Sequence, residues 1–92
     1  HQGLTIYTGT SHTGAIHFAD GTGTASYRGQ INYRHDTDAL QISVAGSERM
    51  RLTSTGLGIG SSAPTTPIHI NSNTPIITFE ETDQSNRKFQ SI

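Results

Sequence analysis

YRGQINYRHDTDALQISVAGSERMRLTSTGLGI (Tyr27–Ile59) is the stretch on which the fold turns. Tyr27, Ile31 and Tyr33 recur on one side of an alternating pattern, and Arg28, Gln30, Asn32 and Arg34 occupy the other. After a turn at His35–Ala39, Leu40, Ile42 and Val44 repeat the period. Met50 and Leu52 repeat it again, opposed by Arg49 and Arg51. A period of two, sustained over segments joined by short polar turns, is the pattern of half-buried antiparallel strands. The stretch carries no recognisable catalytic device.

Toward the N-terminus the same pattern continues in Ala15–Ala19, with Ile16 and Phe18 together, and in Gly3–Thr8, with Leu4 and Ile6 opposed by Thr5 and Tyr7. Gly9–Gly14 and Asp20–Ala25 read as turns, since Asp-Gly favours positive φ. Toward the C-terminus, Leu57 and Ile59 alternate with Gly56, Gly58 and Gly60. Glycines on one face of a strand let another backbone come close, which here suggests tight packing of three chains about an axis. Ser61–Pro67 is a breaker. Pro67–Asn71 and Pro75–Glu80 read as short strands, Glu81–Arg87 as a polar loop, and Lys88–Ile92 as the start of a last strand. The expected division is a β-rich unit at 1–60, a linker at 61–67, and a second, truncated β unit at 68–92. No segment longer than six residues has a helical apolar period, so the expected class is all-β: extended antiparallel structure with little or no helix.

Composition narrows the function. Leu, Ile, Val and Phe supply 18 of 92 residues, near the level at which chains stop folding alone, yet the net charge is only −1, too low to enforce disorder. A core shared between chains reconciles the two, because small domains bury a limited share of their surface and oligomerisation makes up the deficit. Ser and Thr number 24 and Gly 10, a composition of strands and tight turns. The absence of cysteine removes disulfides, thiolate zinc sites and Cys nucleophiles. No apolar run approaches the ~20 residues of a membrane span. Six basic and seven acidic residues, interspersed, leave no electrostatic footprint for nucleic acid. The opening His1-Gln2-Gly3, without Met or a basic leader, gives the expectation of an excised piece, with His1 as a tag remnant.

HFADGTGTASYRGQINYRHDTDALQISVAGSERMRLTSTGLGIGSSAPTTPIHI (His17–Ile70) resembles a segment common in tail fibres and tailspikes of tailed bacteriophages. The resemblance lies in Phe18 and Asp20; in Tyr27, Arg28, Gly29, Ile31, Tyr33, His35, Asp38 and Leu40; in Gly46, Glu48, Arg49, Met50 and Arg51; and in Gly56, Gly58, Ile59, Gly60 and Pro64. Pro67–Phe79 followed by Glu80-Glu81-Thr82-Asp83 is similar to the unit that often follows in that family. The resemblance implies a homotrimeric, extended β structure at the distal end of a virion appendage, outside the cell. In that family the segment commonly precedes a self-cleaving chaperone domain with long helices. Nothing in this chain reads as those helices, so no autoproteolytic activity falls on these residues.

Each candidate site has a plainer alternative. Gly56, Gly58 and Gly60 lack the helix that a dinucleotide loop requires. His17 and His69 each stand between apolar neighbours, so a threefold axis could gather three imidazoles around a transition metal, while an exposed or hydrogen-bonded histidine is the simpler outcome. Asp20, Asp36 and Asp38 lack the glycine and distal Glu of a calcium loop and suit turn capping. Tyr27, Arg28, Tyr33, Arg34 and His35 combine rings with planar cations, which suits glycan binding. Alternatively, Tyr27 and Tyr33 are face residues with Ile31, and Arg28 and Arg34 pair with Asp36, Asp38 or Glu48. Glu80, Glu81 and Asp83 cluster in a loop, without the cleft that glycoside hydrolysis needs, and no nucleophile elbow supports Ser-His-Asp chemistry.

Together these features give the expectation of a non-enzymatic, trimeric tail-fibre or tailspike component, without cofactor or metal, that supports or performs attachment to a host surface glycan. A stem of a polysaccharide-degrading tailspike and a bacterial surface adhesion module are the alternatives.

Overall fold

The computed structural model describes residues 2–80 and 82. The polar loop expected at Glu81–Arg87, Thr82 apart, and the strand expected at Lys88–Ile92 lie outside them. The described chain is all-β, with one short 3-10 turn at Gly23–Tyr27. Six strands form a single sheet in sequence order: β1 (Thr13–Phe18), β2 (Gly29–Arg34), β3 (Ala39–Val44), β4 (Ser47–Leu52), β5 (Leu57–Ile59) and β6 (Ile68–Ile70). The first four pairings are antiparallel and β5–β6 is parallel. Among the described residues no helix is long and apolar enough to cross a membrane.

The turns follow local chemistry. The β3–β4 hairpin closes through Ala45 and Gly46, with φ of 55° and 79°. Two positive φ values in a two-residue loop make a primed turn, whose twist matches that of the flanking strands. The β2–β3 loop at His35–Asp38 ends on Asp38 at φ 52°, a conformation Asp tolerates better than most residues. Between Ile42 and Ser43 the β3–β4 register shifts, so that Ile42 faces Met50 while Ser43 faces Glu48. This bulge leaves Arg49 as the extra residue on β4.

Gly56, Gly58 and Gly60 do admit a backbone at close range, but it is the chain's own. A Cβ on Gly56 would lie 2.6 Å from the Pro67 carbonyl oxygen, and one on Gly58 would strike that of Ser61. Ser61–Pro67 is therefore the β5–β6 crossover, folded back over the sheet with Pro64 buried. Ile68–Ile70, expected to open a second unit, is instead the sixth strand of the same sheet. Parallel pairing with β5 requires a crossover of this kind, and the glycines give it room.

Two expected strands do not form. Gly3–Thr8 and Pro75–Glu80 belong to no ladder among the described residues. Both carry exposed apolar side chains, including Leu4, Tyr7, Ile76 and Ile77. The chain is open as a whole. Its radius of gyration is 17.2 Å, against ~12 Å for a compact domain of this length.

Candidate functional site

The register determines what each face of the sheet presents. Residues directly opposite one another share a face. One row on the first face runs Ile16, Ile31, Ile42, Met50, Ile59, Ile70 across all six strands. The next runs Gly14, Tyr33, Leu40, Leu52, Leu57, Ile68. A shorter third row holds Phe18, Gly29 and Val44. The whole face is apolar, as the alternation requires; among the described residues Ile6 and Thr8 lie against it at Gly14, and much of the rest stays exposed or half-buried. Phe18 is 58% exposed, Val44 56% and Ile68 62%. The only buried hydrophobic residue among those described is Ala39, and it sits on the opposite face.

That opposite face is polar and better covered. Asn32 and Ser43 are buried. Asn32 Nδ2 donates to Gln30 Oε1 at 2.8 Å. Arg51 grips Glu48 with two donors, Nε to Oε2 at 3.1 Å and Nη2 to Oε1 at 2.7 Å, and Gln41 Nε2 donates to Glu48 Oε1. Burial pushes the Glu48 carboxyl up, but the hydrogen bonds from Arg51 and Gln41 and the charges of Arg51 and Arg34 outweigh it, and the net shift is downward. The bulge creates this cluster. Strict alternation would place Glu48 beside Met50 on the apolar face; the extra residue turns it toward Gln41 and Arg51. Asn32 Oδ1 and Arg34 Nε, two residues apart on this face, are buried without a protein partner.

The five residues singled out for glycan contact do not form one patch. Tyr27 ends the 3-10 turn and tilts its ring toward His17, with centroids 6.2 Å apart. Arg28 lies beside it, on the rim of a shallow, open depression of about 340 Å³ lined by Phe18, Asp20, Gly29 and Val44. Tyr33 and His35 meet edge to face at 5.0 Å at the other end of β2. The Tyr33 hydroxyl donates to Asp38 Oδ1 at 3.1 Å, and this bond, with the nearby carboxylate charge, raises the phenol's pKa. Arg34 is on the opposite face and pairs with Asp36 at 3.6 Å. Tyr27 and Arg28 precede β2, and the four extended steps from Gly29 to Tyr33, roughly 13 Å, split the set into two groups.

His69 Nδ1 accepts the Thr65 N–H at 3.2 Å, which ties the imidazole to the crossover. Among the described residues no three His, Asp or Glu side chains come close enough to hold a metal ion. The Gln41–Glu48–Arg51 cluster is the polar feature that simple alternation hides. Its only signal is the Ala45-Gly46 turn, close enough to Glu48 for a register shift.

The chain exposes 7517 Å². A compact monomer of its mass would expose roughly 5,200 Å²; the unladdered segments Gly3–Thr8 and Pro75–Glu80, with exposed Leu4, Tyr7, Ile76 and Ile77, contribute to the excess. No family model matches the chain, and neither the curated proteins nor the solved structures contain a match to it.

Proposed function

We propose that this chain is a structural segment of a bacteriophage tail fibre or tailspike, located in the distal, extracellular part of the virion appendage. Three copies share one core built from their apolar faces, and the assembly supports or performs attachment to host surface glycans. The observation that carries this reading is the six-strand apolar face, much of which the described residues leave exposed. A contiguous apolar patch of this extent marks an association surface. The sequence motifs from Phe18 to Pro64 supply the viral context. Three copies also raise effective affinity for a repetitive receptor by simple multivalency. The role is mechanical, and no residue is assigned to chemistry.

Host adsorption tests the attachment role. Purified chain, added to cells before virus, is expected to compete for surface glycan or, as a supporting segment, to be inert. In neither case should it shorten a capsular polysaccharide. Depolymerisation by this chain alone would overturn the non-enzymatic assignment.

A further inference from the structure

The third apolar row stops short. Phe18, Gly29 and Val44 face one another on β1 to β3, and the next partner, on β4, is Ser47. The depression beside Arg28 therefore lies at the margin of the apolar face. Its floor includes Phe18 and Val44, both more than half exposed. Gly29 between them keeps the floor low, and the Phe18 ring lies against it: a Cβ on Gly29 would come within 3.3 Å of Phe18. Two side chains of opposite charge, Asp20 and Arg28, stand over this floor. Each is anchored through its main chain. The Asp20 N–H donates to the Ala25 carbonyl at 3.0 Å, and the Arg28 carbonyl accepts the Gly46 N–H at 3.0 Å. The Arg28 guanidinium extends over that same turn, with Nη1 3.5 Å from the place a Gly46 Cβ would take. Among the described residues neither the Asp20 carboxylate nor the Arg28 guanidinium has a hydrogen-bond or ion-pair partner, in contrast to Arg34 and Arg51.

We infer that this depression binds one neutral hexopyranose ring of a surface glycan. The inference rests on the attachment reading above, which supplies the glycan, and it names the ring and the residues that hold it. An arginine offers only donors and an ionised aspartate only acceptors. Together they match neighbouring sugar hydroxyls, which do both. The two charges cancel, which favours an uncharged ring: the carboxylate of an acidic sugar drawn to Arg28 would also face Asp20. One face of a pyranose is lined by C–H groups, and their weakly positive hydrogens suit the negative face of an aromatic ring. Phe18 supplies that ring and Val44 extends the apolar floor. A few polar groups beside an apolar floor is the general form of a small-ligand site. The volume of about 340 Å³ is at the low end of such sites, room for one ring with the rest of the glycan outside. An open site of this size binds with roughly millimolar affinity, which three copies raise through multivalency.

Methyl α-glucoside, methyl α-galactoside and methyl α-mannoside are titrated into the full chain and read by saturation-transfer NMR, with galacturonic acid as the acidic comparison. At least one neutral glycoside is expected to bind, with saturation on its ring C–H protons, and to bind more tightly than galacturonic acid. Phe18→Ala and Arg28→Gln should each weaken that binding roughly tenfold, and Asp20→Asn should weaken it less. Arg49→Gln, on the exposed bulge, should leave it unchanged. Arg28 and Asp20 lie outside the apolar rows, so their variants should keep both the β circular dichroism and the native mass of the wild type. Three results would overturn the site: no binding by any of the neutral glycosides, tighter binding of galacturonic acid, or binding that either Phe18→Ala or Arg28→Gln leaves unchanged. A chain that self-associates and competes with virus yet fails here loses the site and keeps the proposed function. One that binds a glycoside here but never competes with virus keeps the site and loses the attachment role.

Discussion

The same six strands build two faces with opposite solutions to burial. The polar face pairs several of its groups within the chain, Asn32 Oδ1 and Arg34 Nε excepted: Gln30 meets Asn32, Gln41 and Arg51 meet Glu48, and the Ser61–Pro67 crossover lies over Gly58. The apolar face has three rows of side chains and little cover from the described residues, although it has far more to gain, at about 25 cal/mol per Å² removed from water. In a sheet that folds for itself the apolar face would be the covered one. Among the described residues the loops close polar and backbone contacts and leave much of the apolar face exposed, which is the contrast that the proposed shared core would resolve.

The strongest way to break this contrast is to charge the bare face. Ile31→Asp or Ile42→Lys should abolish self-association altogether, because an unpaired charge in a shared core costs several kcal/mol. The same change at exposed Arg49 should do little; equilibrium sedimentation would show the difference.

On the covered face the largest effect belongs to the crossover. Gly58→Ala should destabilise by about 2–3 kcal/mol, since the new Cβ meets the Ser61 carbonyl and a backbone segment must move. The unfolding midpoint in urea would report it. Arg51→Leu comes next, at about 1–2 kcal/mol, since it leaves a largely covered carboxylate with one of its partners gone.

Glu48 adds a pH signature. Its carboxyl is held below its ordinary value of 4.5, so the stabilisation is present above that value and is lost as pH falls through the lower folded-state value. Glu48→Gln should therefore flatten the acid limb of a melting-temperature profile below pH 4.5 while lowering stability near neutrality. An unchanged acid limb would remove Glu48 from that role. The smallest expected effect is at the exposed Tyr33–Asp38 pair. Asp38→Asn should lower the ultraviolet titration midpoint of Tyr33 toward that of a free phenol, with no measurable change in melting temperature.

Alternation in the sequence made the β class and the apolar set legible. Ile31 and Tyr33, Leu40 and Ile42, and Met50 and Leu52 do share one face, and the hairpin at Ala45-Gly46 follows from its glycine. Three features were hidden for identifiable reasons. Glu48 changes face because a bulge breaks the period that locates it. The glycines after Thr55 announce a close backbone, but not that the backbone belongs to the crossover or that β6 returns parallel. The aromatic and cationic residues from Tyr27 to His35 are neighbours in sequence, yet an extended strand separates its ends and alternates its sides, so proximity along the chain gave a patch that β2 divides.

Native mass of the purified chain by light scattering tests the shared apolar core most directly. A shared core predicts a mass near three chains of 9.9 kDa, with a melting temperature that rises with protein concentration. A monomer of 9.9 kDa that melts cooperatively, at a temperature independent of concentration, would contradict it.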